Sequence, residues 1–172
     1  MTPINHRDYV QIELEDFLSK HSGANVLEIG CGNTHFKEFF EEKGYKWTGQ
    51  DIAEYPDASI VCKMEELSKV IEHEQFDLVF SCHSFEHCER PIDALRAFRK
   101  VLKKGGWLFL ATPHACEHQI LKADNDHIFV LNQWQMARLL TYTFFSDIVV
   151  TLQCIGIEKE QDWNVVSIGR KT

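Results

Sequence analysis

Two kinds of hydrophobic spacing alternate along the chain. Between residues 8 and 21, Val10, Leu14, Phe17 and Leu18 are spaced as on one face of a helix. Similar spacing predicts helices over residues 8–21, 36–43, 65–72, 91–102 and 132–142. Short apolar runs lie between these segments and predict strands at residues 26–29, 45–52, 58–62, 76–80, 107–111, 145–154 and 163–169.

This order of elements predicts the fold class. Strands separated by helices form βαβ units, which build a mostly parallel sheet with helices on both faces. The last two strands follow each other with only a short link, which favours an antiparallel hairpin at one edge of the sheet. We therefore expect an α/β protein with a Rossmann-like, doubly wound sheet. No repeat or linker-like segment divides the chain, so residues 1–172 are expected to form one domain.

Two helix starts carry their own signals. Pro91 suits the first turn of a helix, where its missing N–H costs nothing. Asn132 is a residue type that caps helices with its side-chain oxygen. In the helix that Asn132 begins, Trp134 is expected on the inward face.

Composition and charge limit the partners. The 172 residues contain 18 Lys and Arg against 26 Asp and Glu, a formal net charge of −8. An acidic surface disfavours non-specific binding to nucleic acid and anionic lipid, and no apolar run reaches the roughly 18 residues that cross a bilayer. The N-terminal residues lack the apolar core of a signal peptide, and the six cysteines are scattered without a CxxC pair. We expect a cytoplasmic protein that binds neither membranes nor, unaided, nucleic acid.

Candidate chemistry begins at the end of the first predicted strand. Gly30-Cys31-Gly32 joins this strand to a helix, and glycines there let a ligand approach the backbone closely. Asp51 ends the second strand, 21 residues after Gly30, a spacing at which a carboxylate accepts hydrogen bonds from ribose hydroxyls. The sequence therefore predicts a nucleoside-bearing ligand. An NAD(P)-dependent reductase is a weaker alternative, because His35 stands where a dinucleotide-binding loop has its third glycine.

Three stretches resemble motifs of one family. Val26-Leu27-Glu28-Ile29-Gly30-Cys31-Gly32-Asn33-Thr34 is similar to the first motif of class I S-adenosylmethionine-dependent methyltransferases, and Phe76-Asp77-Leu78-Val79-Phe80-Ser81 is similar to the motif on their fourth strand. Glu86-His87-Cys88-Glu89-Arg90-Pro91, continued by Val101-Leu102-Lys103-Lys104-Gly105-Gly106, resembles a stretch of the small-methyltransferase branch, which is like methyltransferase type 11. The resemblance implies S-adenosyl-L-methionine as cofactor, a seven-stranded sheet with a reversed final strand, and methyl transfer to an O, N or S nucleophile.

The resemblance also implies which residues hold the cofactor. Residues at the end of the first strand would hold its methionine part, and residues after the second and third strands its ribose and adenine. Residues after the fourth strand would face its amino group and the transferred methyl. Lys63 departs from the family, which often has an acid there to accept a hydrogen bond from the adenine amine. The expected cofactor-binding residues are Glu28, Gly30, Cys31, Gly32, Asp51, Ile52, Met64, Glu65, Ser81, Cys82 and His87.

Histidines supply the candidate catalytic groups. Methyl transfer needs an aligned acceptor and, where that acceptor is protonated, a base. Histidine is the usual base near neutral pH. His83 follows the fourth strand and His114 follows the fifth, so both are expected to reach the cleft. Glu86 could also act as a base, but it is interpreted as an exposed acid at a helix start, where its charge would interact favourably with the helix dipole.

No metal is expected from the sequence. His114, Cys116 and His118 could be combined with Cys82 and Cys88 into a site, but their spacing matches no standard zinc motif.

The predicted domain divides into four parts. Residues 1–23 form an N-terminal helix that covers the cleft, and residues 24–113 form the cofactor-binding core. Residues 114–131 are a long polar segment of the kind that forms a lid or acceptor loop. Residues 132–172 add the last helix and the edge strands.

A small molecule is the favoured acceptor. A catalytic subunit that methylates a protein or RNA with a partner, a homodimer, and a non-catalytic cofactor-binding protein of the same fold stay open.

Overall fold

The computed structural model describes residues 6–33, 36–114, 126–155 and 162–172. The helices are α1 (His6–Lys20), α2 (Lys37–Glu42), α3 (Leu67–Val70), α4 (Pro91–Val101) and α5 (Gln133–Tyr142). Two short 3₁₀ helices span Met64–Glu66 and Phe85–His87. The strands are β1 (Asn25–Ile29), β2 (Lys46–Asp51), β3 (Ala58–Val61), β4 (Phe76–Cys82), β5 (Leu102–Pro113), β6 (Phe145–Ile155) and β7 (Asp162–Lys171).

The strands form one seven-stranded sheet in the order β3-β2-β1-β4-β5-β7-β6. Strands β1 to β5 pair in parallel, whereas β7 runs antiparallel to both β5 and β6. The predicted Rossmann-like α/β fold is therefore confirmed, with the antiparallel hairpin at one edge. From β1 the chain first adds β2 and β3 on one side and then returns to add β4 on the other side, so the direction of strand order reverses at β1 and β4. Ligands of open α/β sheets bind in the crevice beyond the carboxyl ends of the strands at such a point.

Alternate residues of the central strands pack into cores on opposite faces of the sheet. Val26 of β1 and Phe109 of β5 belong to the core beneath α1 and α2. Leu27 and Leu108, their neighbours in sequence, belong to the core beneath α3, α4 and α5. All four side chains are fully buried. Burial on both faces explains why these strands are continuous apolar runs instead of alternating ones.

The helices follow the sequence signals, with one correction to a helix's extent and one to the direction of a side chain. Pro91 begins α4, and the Asn132 side chain accepts a hydrogen bond from the Gln135 amide at the start of α5, as predicted. The helix predicted over residues 65–72 is only a 3₁₀ helix followed by the one-turn α3. Trp134 does not face inward. It is 76% exposed, because Met136 and Leu140 form the buried face of α5.

In the residues that the structure describes, no helix is both long and apolar enough to cross a membrane.

Candidate cofactor-binding site

The loop after β1 is fixed to the neighbouring strand by its backbone. The amides of Gly30 and Cys31 both donate to the carbonyl oxygen of Gln50, at 2.8 and 3.0 Å. Gly30 has a φ of +67°, and a Cβ at this position would overlap the side chain of Ser84. Only glycine combines this left-handed backbone with such a close approach. The sequence therefore places a glycine where the chain must turn tightly against the segment that follows β4.

The Asp51 carboxylate at the end of β2 completes this loop. Its Oδ2 accepts a hydrogen bond from the Gly32 amide at 2.9 Å, and its Oδ1 accepts one from the Ala53 amide at 3.1 Å. Two backbone donors hold the carboxylate in one orientation at the sheet's carboxyl edge. Each carboxylate oxygen has a second lone pair with which to accept a further hydrogen bond.

Two cavities open at this edge, one of about 350 Å³ and one of about 220 Å³. They share four lining residues, so they are adjacent parts of one cleft. The shared residues are Gly30, Gly32, Tyr55 and His83. The larger cavity is further lined by the predicted residues Asp51, Ile52, Met64, Glu65 and His87. The smaller cavity is further lined by the predicted residues Glu28, Cys31 and Cys82.

The smaller cavity is lined by an acidic side chain, Glu28, and a basic one, Arg7. Glu28 is only 3% exposed, and its Oε2 accepts a hydrogen bond from Trp47 Nε1 at 2.7 Å. Burial raises the pKa of Glu28 to about 7, while the Trp47 hydrogen bond and the positive charge of Arg7 act in the opposite direction. Arg7 lines the same cavity from the first turn of α1. The lining of this cavity therefore carries one acidic and one basic side chain.

His83 stands where the two cavities meet. Its φ is +51°, in the left-handed region that histidine adopts more readily than most residues. Its backbone amide donates to the Ala111 carbonyl at 2.9 Å, and its ring Nε2 lies 3.0 Å from Asn164 Oδ1. An amide oxygen only accepts, so Nε2 is the donor in this contact. β5 and β7 thus fix both the backbone and the ring of His83.

Two predicted site residues line neither cavity. Ser81 is fully buried and shares the face of β4 that carries Val79 into the core beneath α4. Cys82, one position later, points to the opposite face and lines the smaller cavity. His114 lies after β5, and its Nε2 donates to Gln133 Oε1 at 3.0 Å near the start of α5. The catalytic role of His114 stays a prediction.

Glu65 and Lys63 are tied to the turn before α4. Glu65 Oε1 accepts hydrogen bonds from the backbone amides of Glu89 and Arg90, at 3.0 and 3.2 Å. Lys63 Nζ donates to Glu89 Oε1 at 2.9 Å. Both residues line the larger cavity, so Glu65 stabilises the cavity wall as well as facing its interior.

The interpretation of Glu86 as an exposed acid is wrong. Glu86 is 1% exposed, because the 3₁₀ helix that contains it turns its side chain inward under the segment around Ile128. The Ile128 amide donates to the Glu86 carbonyl oxygen at 3.0 Å. The neighbouring His87 braces the same segment, since its Nδ1 lies 2.9 Å from the carbonyl oxygen of Asp126.

Sequence reasoning missed Arg7 and Tyr55. Arg7 does carry a signal, because it lies on the same helical stripe as Val10, Leu14 and Phe17, and a charged residue on a buried face indicates a specific partner. Tyr55 follows Asp51 in an irregular loop, where no periodicity predicts the direction of a side chain. Thr34, His35, Cys116 and His118 lie outside the described residues, as does most of the predicted acceptor loop.

Comparison with known proteins decides the family. The sequence profile of a family described as "Methyltransferase domain" matches residues 5–147. This chain belongs to that family. The resemblance to class I S-adenosylmethionine-dependent methyltransferases is therefore confirmed.

Individual relatives are more distant. A ubiquinone biosynthesis O-methyltransferase of Pseudomonas aeruginosa is 27% identical over 123 residues, which are 64% of this chain and 53% of that protein. The chain thus spans about half the length of the curated relatives it matches.

Solved structures share the fold along nearly the whole chain. An S-adenosylmethionine-dependent methyltransferase from Archaeoglobus fulgidus superposes with a TM-score of 0.78 at 18% identity, covering 97% of this chain and 95% of that one. A Burkholderia thailandensis 1,6-didemethyltoxoflavin-N1-methyltransferase, solved with bound 1,6-didemethyltoxoflavin and S-adenosylhomocysteine, has a TM-score of 0.71 at 17% identity. The superposition covers 100% of this chain and 93% of that enzyme.

Proposed function

We propose that this domain binds S-adenosylmethionine across both cavities and transfers its methyl group to an O, N or S nucleophile of a small molecule. The observation that carries the proposal is the distribution of charge along the cleft. Asp51 and Ile52 line the larger cavity, and Glu28 and Arg7 line the smaller one. A ligand that joins a nucleoside to a free amino acid matches this arrangement in order.

The two ends of the cleft support different parts of the cofactor. The Asp51 carboxylate has acceptor capacity for ribose hydroxyls, and the Ile52 side chain is 66% exposed beside it as an apolar surface for adenine. In the smaller cavity, Glu28 would bind the ammonium group of the methionine part and Arg7 its carboxylate. Glu28 is buried, so pairing with a cation would also relieve the cost of ionising it there.

The same charges argue against a dinucleotide. A pyrophosphate in the smaller cavity would lie against the Glu28 side chain, and two anions in a buried site repel each other strongly. The glycine loop also has His35 in place of a third glycine. Both observations favour a cationic amino-acid end over a diphosphate.

When bound, S-adenosylmethionine supplies an electrophilic methyl group on a sulfonium. The protein's own residues then orient the reactants and exclude water, which supplies much of the rate enhancement in such displacements. His83 lies at the junction of the cavities, where the nucleoside and amino-acid ends of the ligand meet. We therefore propose that His83 contacts the acceptor.

His83 would position the acceptor and, for a hydroxyl or protonated amine, take its proton. As Asn164 holds Nε2 as the donor, Nδ1 is the nitrogen of the neutral ring that can accept a proton, and it lies 3.8 Å from Glu86 Oε1. His114 stays a second candidate for this role. The acceptor itself would enter beside residues 114–131, which we retain as the proposed acceptor loop.

Binding measurements test the cofactor directly. Calorimetry with S-adenosylmethionine, S-adenosylhomocysteine and NAD should give saturable binding of the two sulfur compounds and none of NAD. Binding of NAD alone would reject the proposal. A metabolite screen that detects S-adenosylhomocysteine formation would then identify the acceptor.

The screen also separates the remaining alternatives. Turnover with a purified metabolite would support the hypothesis that the acceptor is a small molecule. Turnover only after a protein or RNA and a second subunit are added would support the catalytic-subunit alternative, and binding without turnover would support a non-catalytic protein. We retain the cytoplasm as the proposed compartment from the sequence, in which the six cysteines are scattered without a CxxC pair.

A further inference from the structure

Among the residues that the structure describes, neither carboxylate oxygen of the buried Glu86 side chain has a hydrogen-bond partner. Burying a carboxylate without compensation is costly, so such a group indicates a partner that would complete the site. Three histidine nitrogens surround its Oε1. His83 Nδ1 and His127 Nε2 each lie 3.8 Å away, and His87 Nε2 lies 3.9 Å away.

The orientation of His87 is fixed from behind. Its Nδ1 lies 2.9 Å from the backbone carbonyl oxygen of Asp126, which only accepts, so Nδ1 carries the proton of the neutral ring. The lone pair on Nε2 is then the group that faces Glu86. A backbone carbonyl bound to one imidazole nitrogen, with the other nitrogen left as a donor to metal, is the usual arrangement around metal-ligating histidines.

His127 brings the third donor atom from a distant part of the sequence. Its ring lies 4.9 Å from the ring of His87, centroid to centroid. The hydrogen bond from the Ile128 amide to the Glu86 carbonyl oxygen holds its segment in place. One nitrogen from each of His87 and His127 and one Glu86 oxygen all lie within 4.8 Å of one another.

The distances from Glu86 Oε1 to the three histidine nitrogens are too long for hydrogen bonds, in which donor and acceptor are at most about 3.2 Å apart. Two ligands that each lie about 2.1 Å from one ion in tetrahedral geometry are about 3.4 Å apart. The two histidine nitrogens would each close on Glu86 Oε1 by about half an ångström, and on each other by about 1.4 Å at most, to share a single ion. We propose that Glu86, His87 and His127 bind one divalent transition-metal ion. Two imidazoles and one carboxylate suit zinc, iron, cobalt or manganese better than calcium or magnesium, which prefer all-oxygen sites.

The site would lie at the wall of the larger cavity. His87 lines that cavity, and so does His83, whose Nδ1 also faces Glu86. The ion would join the 3₁₀ helix Phe85–His87 to the segment that begins at Asp126. This site shares none of the cysteines considered from the sequence. Its existence does not depend on methyl transfer, because the donors are all protein atoms.

Cobalt and zinc binding to the full chain test the proposal. After treatment with a chelator and without any cofactor, the protein should bind one Co²⁺ per chain and develop the visible absorption of a low-coordinate cobalt site. Zn²⁺ should displace it. Glu86→Gln and His127→Gln should each weaken Co²⁺ binding by about 100-fold or more, since even residues that only orient a ligand change metal affinity by about 10–100-fold. His73→Gln, at an exposed histidine outside the cluster, should leave the affinity unchanged.

Further variants keep the outcome decisive. His127→Cys replaces one ligand by another that cobalt accepts, and it should bind Co²⁺ with a new thiolate charge-transfer band in the near ultraviolet. Equal affinity in Glu86→Gln, His127→Gln and His73→Gln would mean adventitious surface binding, and no binding to the wild-type chain would mean that this cluster holds no ion. Either result overturns the proposal. Loss of binding in folded Glu86→Gln together with the thiolate band in His127→Cys supports it, whatever the chain does with S-adenosylmethionine.

Discussion

The Asp51 carboxylate accepts a hydrogen bond from the backbone amide of Gly32 at 2.9 Å. This contact ties the acid at the end of β2 to the glycine loop after β1, so one side chain both shapes the loop and lines the larger cavity of the cleft. Two features that are 19 residues apart in the sequence therefore act as one unit.

Replacing Asp51 should weaken cofactor binding. Asp51→Ala removes the acceptor proposed for the ribose hydroxyls and releases the amides of Gly32 and Ala53. We expect S-adenosylhomocysteine binding to lose about 1.5–3 kcal/mol, the usual contribution of a hydrogen bond to a charged group. Calorimetry measures this loss, with Glu54→Ala, an exposed acid in the same loop, as the control. An unchanged affinity would show that the ribose binds elsewhere.

Arg7 should contribute only to the amino-acid end of the ligand. Arg7→Ala is expected to weaken binding of S-adenosylhomocysteine about 10-fold or more, since a charged hydrogen bond contributes about 1.5–3 kcal/mol. Binding of 5′-methylthioadenosine, which lacks the ammonium and carboxylate groups, should not change. Lys20→Ala removes a cation from the exposed end of the same helix and serves as the matched control. Equal losses for both ligands would place Arg7 outside the amino-acid subsite.

Glu28 should make stability depend on pH. Burial raises its pKa from 4.5 to about 7, so between these values the folded state retains a proton that the unfolded chain releases. The stability due to this group is therefore complete below about pH 4.5 and lost as the pH rises through about 7. Glu28→Gln should gain up to about 3 kcal/mol relative to the wild type between pH 4.5 and pH 8.

Urea unfolding of the wild type and of Glu28→Gln at several pH values in this range measures the difference. Glu72→Gln, at an exposed position, is the control and should keep the wild-type slope. A Glu28→Gln difference that does not vary with pH would contradict the raised pKa.

His83 should govern turnover more than cofactor binding. Asn tolerates a positive φ as histidine does, so His83→Asn keeps the backbone at +51° and removes only the imidazole. We expect kcat to fall by about 10²–10⁴-fold, the usual contribution of a general base, while S-adenosylhomocysteine affinity changes by a few-fold at most. A normal kcat would remove His83 as the acceptor residue. The same assay on His114→Gln tests the other candidate, for which the hydrogen bond to Gln133 leads us to expect a smaller loss.

The sequence was sufficient for the sheet because each strand and helix carries its own local signal. Leu27 and Val26 are both buried, on opposite faces, so β1 is recognisable as an interior parallel strand from its composition alone. Asp51 and the glycine loop were also predictable, since the fold brings the carboxyl ends of adjacent parallel strands together.

Other side-chain directions depend on contacts between distant segments. Glu86 is buried because the segment of Ile128 covers it, some 40 residues later in the chain. Ser81 and Cys82 differ by one position and so point to opposite faces of β4, and a motif match alone does not say which one faces the cleft. Trp134 is exposed because the two apolar positions Met136 and Leu140 already fill the contact of α5 with the sheet.

The position of β7 between β5 and β6 has a consequence for biosynthesis. β6 emerges from the ribosome before β7, yet it has no partner in the sheet until β7 arrives to join it to β5. Until then the nascent chain exposes the unpaired edges of β5 and β6, which are prone to aggregate. Asn164, which holds the ring of His83, lies on β7. Translation must therefore pass this strand before the part of the cleft that His83 lines takes its final form.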